Sequence, residues 1–380
     1  MVIFFSIFFS LYGAINYYIF LRGWQALSGY PHLRIFYTII FIFVALSYLI
    51  SKFLTRYLTP FIYDILVWVG SFWFAFFVYF LLSVFLIDIL RLLNFQFHFF
   101  PSFITNNYLY VKHLTALIVF LIVSTIVLAG YINTRYVIVK NLELTLPKKS
   151  SSLNSMNAVL VSDIHLSPVN DEKFLKDIVD KINRLKPDII FIAGDLVDEK
   201  ASLLKQRKIG QALLNLKSKF GTFACTGNHE YINGARGSID FMREMGLNVL
   251  ADSVTKINDY FYVAGRNDRA VKQFDGNGRK PLEEILSGVD KNYPVILLDH
   301  TPFGLDEAEK NDVDLQLSGH THYGQMFPAN YITNMVYEIS FGYLKKGNAQ
   351  YNVSCGVGTW GPPVRTGSRS EIVNLKIKFL

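Results

Sequence analysis

Residues 188–198 read DIIFIAGDLVD: a short apolar run from Ile189 to Ala193, closed by Gly194 and Asp195, with Asp198 three residues on. Such a run, Asp188 to Ala193, is expected to be a strand. The pattern recurs along the C-terminal part of the chain. Ala158–Val161 leads to Asp163-Ile164-His165, and Thr222–Thr226 leads to Gly227-Asn228-His229-Glu230. Residues 295–298 lead to Asp299-His300, and 313–317 to Gly319-His320-Thr321-His322. Between the first two runs, 171–186 (DEKFLKDIVDKINRLK) sets Phe174, Leu175, Ile178, Val179, Ile182 and Leu185 on one helical face. Asn170 is its expected N-cap and Lys186-Pro187 its stop. Helices near 201–218 and 238–246 and strands at 261–264 and 371–379 complete an alternating α/β sandwich pattern.

Each polar cluster falls where a strand ends and a loop begins. In open α/β sheets ligands bind beyond the carboxyl ends of strands, so five such ends pointing one way would gather these side chains in one cleft. Carboxylate, amide and imidazole donors without thiolate suit Mn, Fe, Zn or similar divalent ions. Asp163 and His165, two apart on a loop, can reach one ion. His320 and His322 can face two adjacent ions, and a carboxylate can bridge them. His32, His98 and His113 flank apolar segments and take no role.

The N-terminal part reads differently. Residues 1–134 carry six of the 37 basic and two of the 30 acidic residues. Uncharged stretches run over 2–21, 35–51, 65–87 and 114–134. A bilayer core requires ~20 apolar residues, within a range of ~17–25, so four transmembrane helices are expected. Asp64 and Asp88 sit at the ends of these stretches, outside the spans, so a transporter is not suggested. The first stretch has no basic flank and no small-residue cleavage site, unlike a secretory leader. Four spans leave both ends on one side. Lys52, Arg56, Arg135, Lys140, Lys148 and Lys149 then oppose Arg22, Arg34, Arg91 and Lys112, an excess that places the C-terminal domain in the cytoplasm. The expected organisation is a four-helix transmembrane region over 1–134, a linker over 135–153 marked by the run PKKSSS, and a folded domain over 154–380.

Charged residues are 18% of the chain, below the ~25% usual for soluble domains. The net charge of +7 is spread without a basic block, which gives nucleic-acid binding no support. Cys225 and Cys355 stand 130 residues apart and are read as two buried free thiols, a single disulfide being the alternative.

Taken together, the ordered clusters make residues 155–375 resemble the calcineurin-like metallophosphoesterase superfamily. The resemblance implies a β-sandwich flanked by helices and two divalent metal ions, with Mn expected and Fe or Zn as alternatives. By motif position, Asp163, His165 and His322 would bind the first ion, and Asn228, His300 and His320 the second. Asp195 would bridge both, and His229 would be the catalytic histidine beside the departing group. Glu230 and Asp198 are expected to orient ligands. Arg266 and Arg365, with Arg269 and Arg369, lie in turn-like segments where one or two could hold a second phosphate.

Fold does not choose the substrate. Four spans would hold a water-facing site against amphiphilic substrates. The apolar-aromatic stretch 327–344 reads either as core or as a surface docking acyl chains, with Lys345 and Lys346 beside lipid headgroups. The layout resembles the membrane-associated UDP-diacylglucosamine pyrophosphohydrolases of lipid A biosynthesis. That resemblance implies a multi-pass bacterial inner-membrane enzyme cutting UDP-2,3-diacylglucosamine to lipid X and UMP. A phosphoesterase acting on phospholipid, isoprenoid or cell-wall phosphates is the alternative enzyme, and a metal-binding membrane scaffold the alternative of another class.

Overall fold

The computed structural model describes residues 2–147, 149–274, 276 and 278–380, with the side chains of residues 2–5 excluded. Lys148, counted above in the linker and the charge balance, lies outside the described residues. The chain divides into two compact units, Met1–Tyr131 with Gly361–Val364, and Ile132–Trp360 with Arg365–Leu380.

The first unit consists of helices α1 (Val2–Ala26), α2 (Pro31–Phe53), α3 (Pro60–Phe97), the short α4 (Ser102–Asn106) and α5 (Tyr108–Arg135). Among the described residues, α2, α3 and α5 are long and apolar enough to cross a membrane. The expected bundle of four is thus supported for three helices. The first stretch, 2–21, does lie in one continuous helix. Aromatic packing joins the helices: the Phe41 ring meets Trp73 edge-on at 4.9 Å. Trp73 Nε1 donates to Asn16 Oδ1 at 3.1 Å, which satisfies two buried polar groups at once.

The second unit starts at Ile132, in the last turn of α5. Strand β1 (Ile138–Leu146) replaces most of the expected linker. Exposed Val139, Asn141, Glu143 and Thr145 alternate with the more buried Ile138, Lys140, Leu142, Leu144 and Leu146, the period of a strand with one wet face. Next come β2 (Ser155–Val161), α6 (Glu172–Arg184) and β3 (Ile189–Ala193). Asp171, not Asn170, caps α6, accepting from Phe174 N at 2.9 Å. The helix expected over 201–218 is broken into α7 (Ala201–Gln206) and a 3-10 turn, Gln211–Asn215, by Gly210 at φ +108°. The chain continues through β4 (Thr222–Cys225), α8 (Asn228–Ile232), α9 (Ala235–Glu244), β5 (Asn248–Val249), β6 (Ser253–Ile257) and β7 (Phe261–Gly265). Two short helices, α10 (Val271–Phe274) and α11 (Leu282–Ile285), precede β8 (Val295–Leu298), α12 (Leu305–Lys310) and β9 (Leu315–Ser318). Helix α13 (Ala329–Val336) and strands β10 (Gly342–Lys346), β11 (Ala349–Val353) and β12 (Glu371–Phe379) end the chain.

These strands form two six-stranded sheets, ordered β1-β12-β2-β3-β4-β5 and β10-β11-β9-β8-β7-β6. The inner faces meet through Leu160, Phe191, Phe223, Phe261, Ile296 and Leu317. Alternate residues of the first sheet, Val161, Ile190 and Ile192, are covered by Leu175 and Ile178 of α6 and Phe241 of α9. Leu282 and Ile285 of α11 and Leu305 of α12 cover Val295 and Leu297 of the second. Burial on both faces explains why these strands read as unbroken apolar runs. Cys225 and Cys355 are both buried free thiols.

Candidate metal centre

Parallel strands β2, β3 and β4 run side by side, as do β7, β8 and β9. Their carboxyl ends therefore deliver Asp163, Asp195, Asn228, His300 and His320 to one edge of the sandwich. Asp163, His165, Asp195, His320 and His322 all adopt left-handed backbone, with φ of 54°, 51°, 52°, 73° and 48°. Such strain in non-glycine residues persists where surrounding structure over-determines it, commonly at functional sites. Glycines make the close approach possible. A Cβ on Gly227 would lie 2.2 Å from Asp195 Oδ1, and one on Gly319 would lie 2.3 Å from Asp163 Oδ2.

Two adjacent ligand sets result. Asp163, His165 and His322 offer donor atoms within 4.8 Å of one another, as do Asp195, His300 and His320. His165 Nε2 is 3.1 Å from His322 Nε2 and 3.7 Å from Asp195 Oδ2. His322 Nε2 is 3.3 Å from Asp163 Oδ1, and His300 Nε2 is 3.1 Å from Asp195 Oδ2. Asn228 Oδ1 lies 3.0 Å from His320 Nδ1. Asp195 stands between the two sets.

The donors fit a metal. His300 donates from Nδ1 to Ala193 O at 2.7 Å, which turns Nε2 toward Asp195. That Nε2, and His165 Nδ1, are buried without a hydrogen-bond partner among the described residues. Buried polar atoms are almost always paired, so orphaned imidazole nitrogens beside carboxylates are what a cation site requires. Burial pushes the His165 and His320 imidazoles down to about 4 and holds His322 well below its usual range, which keeps all three neutral and ready to donate. Burial lifts the Asp163 carboxyl to about 6. Burial also works against the Asp195 carboxylate, but His300 and His229 outweigh it and hold Asp195 well below its usual range.

His229 opens α8 and lies beside these sets. Its Nδ1 is 2.6 Å from Asp198 Oδ1. Burial would lower this imidazole, but Asp195 and then Asp198 hold it up at about 9, so it carries a proton at neutral pH. Glu230 accepts from Asp195 N, Leu196 N, Val197 N and Gly227 N, at 3.1, 2.8, 3.1 and 2.6 Å. One carboxylate thus pins the loop of Asp195 to that of Asn228.

The two arginines offered for a phosphate do other work. Arg365 is fully buried. It donates to the carbonyls of Cys355, Gly356 and Gly358 and to Ser368 Oγ, and its Nη2 lies 3.1 Å from His322 Nδ1. Arg266, also buried, is bidentate to Glu307 at 2.7 and 3.1 Å and 3.5 Å from Asp299. A buried guanidinium must have its donors met inside the protein, which leaves neither arginine open to substrate. Arg269 and Arg369 are exposed.

Other residues were not legible as site residues. Asn170 Nδ2 donates to His165 O at 3.1 Å and Thr359 O at 3.0 Å, tying the two loops together. The Trp360 ring stands edge-on to His229 at 6.1 Å, and Tyr337 edge-on to His320 at 6.1 Å. The position of Asn170 five residues after His165 could have signalled it; nothing local marks the aromatic pair.

Residues 156–324 match the model of the calcineurin-like phosphoesterases. A metallophosphoesterase of Aquifex aeolicus is 38% identical over 232 residues, covering 60% of this chain and 87% of that protein. The chain belongs to the calcineurin-like metallophosphoesterases. A transmembrane protein with metallophosphoesterase domain from Danio rerio is 34% identical over 252 residues, 63% of this chain and 57% of its own length. The UDP-2,3-diacylglucosamine pyrophosphatase LpxG of Chlamydia trachomatis is 26% identical over 298 residues, 63% of this metallophosphoesterase and 88% of LpxG. The chain thus spans little more than half the length of the zebrafish relative.

Proposed function

We propose that this chain is a membrane-anchored, two-metal phosphoesterase that hydrolyses a phosphoester or pyrophosphate bond of an amphiphilic substrate. UDP-2,3-diacylglucosamine, cut to lipid X and UMP, is the substrate we assign. The observation that carries the reading is two adjacent ligand sets, with Asp195 of one set also 3.7 Å from His165 of the other, on a chain whose helices can cross a bilayer. Similarity to LpxG supports the choice of substrate.

In this reading Asp163, His165 and His322 would hold one divalent ion, Asn228, His300 and His320 would hold the other, and Asp195 would serve both. When bound, two such ions supply Lewis-acid charge at the phosphoryl oxygens and acidify a water for in-line attack. The protein's own groups do the rest. Asp198 fixes His229 through Nδ1, so that Nε2 is the atom that hands a proton to the departing oxygen. Glu230 keeps the Asp195 and Asn228 loops in register. Helix α1 acts as a fourth span, which leaves both chain ends, and the catalytic domain, on the cytoplasmic side of the inner membrane.

Full-length protein in detergent with Mn²⁺, given UDP-diacylglucosamine beside an aryl phosphodiester, tests this. UMP release by wild type, lost in Asn228→Ala and His229→Ala, is expected. Diester cleavage without UMP release would overturn the substrate. Inactivity on both with metals bound would overturn the enzyme.

A further inference from the structure

Helix α13 is built inside out. Asn330 and Thr333 face inward, whereas Tyr331, Ile332, Met335 and Val336 face solvent, with Met335 79% and Tyr331 60% exposed. These four residues are two i,i+4 pairs, so they form one continuous apolar face. Phe327 and Trp360, both about half exposed, extend it. A monomer in water seldom leaves such a face open, and a contiguous apolar patch marks a docking surface. Its neighbours are the metal centre: Trp360 stands against His229, and Tyr337, which ends α13, against His320.

The same region is bonded to the end of a membrane-spanning helix. Asn133, in the last turn of α5, donates to the carbonyls of Arg365 and Ser368, both at 2.9 Å. That loop in turn bonds to the segment leading into α13. Thr366 N and Gly367 N donate to Gln325 O at 3.0 Å, and Phe327 N donates to Thr366 Oγ1 at 3.0 Å. Gln325 exchanges two further bonds with the Trp360 backbone, each 3.0 Å. From the end of α5 to the apolar face there are thus two layers of hydrogen bonds.

We propose that the apolar face of α13, with Phe327 and Trp360, docks into the headgroup–acyl boundary of the bilayer that α5 crosses. The face is continuous with the point where the chain leaves the membrane, and its chemistry is that of an interfacial helix, aromatic and aliphatic without charge. Docked there, the rim of the metal centre lies at the lipid surface. A lipid-linked phosphoester reaches the metals without leaving the bilayer. The inference rests on the membrane anchorage proposed above and not on which phosphoester is cut.

The test uses the full-length chain in lipid nanodiscs. Met335→Cys and Ile332→Cys are labelled with an environment-sensitive fluorophore, with Lys176→Cys on the exposed side of α6 as control. Shallow doxyl-labelled phosphatidylcholine should quench both α13 labels at least about twofold more than the control. Quenching equal to the control would overturn the proposal. A blue shift that doxyl lipid does not quench would also overturn it, assigning the face to a second copy of the chain. Failure to cut UDP-diacylglucosamine, with quenching intact, would remove the substrate assignment alone.

Discussion

Asp198 Oδ1 lies 2.6 Å from Nδ1 of His229, within hydrogen-bonding reach of a ring that is 7% exposed. The pair fixes which nitrogen faces the reaction. Asp198→Asn should therefore lower kcat about 10–100-fold, as loss of an orienting partner does, with metal content unchanged. His229→Ala should lower it by about 10²–10⁴. Full activity of Asp198→Asn would remove the positioning role.

Glu230 meets four backbone N–H groups with one carboxylate. Glu230→Ala leaves all four buried and unsatisfied, and at ~1–3 kcal/mol for each such group the loss should exceed about 3 kcal/mol. Thermal unfolding of the full-length protein reads this as a lowered Tm. Glu230→Gln, which keeps the shape, should fall between the two.

Arg365 distinguishes two roles cleanly. As the staple between the turn at 355–358 and His322, its replacement by Lys should weaken one of the two metal sites about 10–100-fold. A phosphate-binding arginine would instead raise KM and leave metal affinity alone. Manganese titration of Arg365→Lys beside its steady-state kinetics separates them.

Burial pushes the Cys355 thiol up to about 12 and the Cys225 thiol well above its usual range. The thiolate is the reactive form, and a raised pKa empties it at pH 8. Neither cysteine should react with iodoacetamide at pH 8 in the folded protein, and both should react after denaturation. Rapid labelling of the native chain would contradict the described packing.

The ligand clusters were readable because each sits at the end of an apolar run, where strand and loop are set by local sequence. Asp163, Asp195, Asn228, His300 and His320 come together in the structure because parallel strands share a carboxyl edge. Arg266 and Arg365 were offered for a second phosphate because burial of a guanidinium is decided by distant carbonyls and by Glu307, which local sequence does not state. β1 was taken for linker because its charged residues masked the alternation of Leu142, Leu144 and Leu146. The stretch 327–344 was ambiguous for a physical reason: apolar residues do not state whether their partner is protein or lipid. The half-buried Asn330 and Thr333 beside the exposed Tyr331, Ile332, Met335 and Val336 show that the apolar side of α13 is turned to solvent.

The central claim is that Asp195 joins two metal ions in one centre. Electron paramagnetic resonance of the full-length protein, stripped with chelator and reloaded with Mn²⁺, measures it most directly. The account predicts two equivalents of manganese with an exchange-coupled signal, lost in Asp195→Asn, and a chelated protein less stable by about 2.7 kcal/mol for each ion held at 100 times its Kd. One equivalent, or two equivalents without coupling, would contradict it.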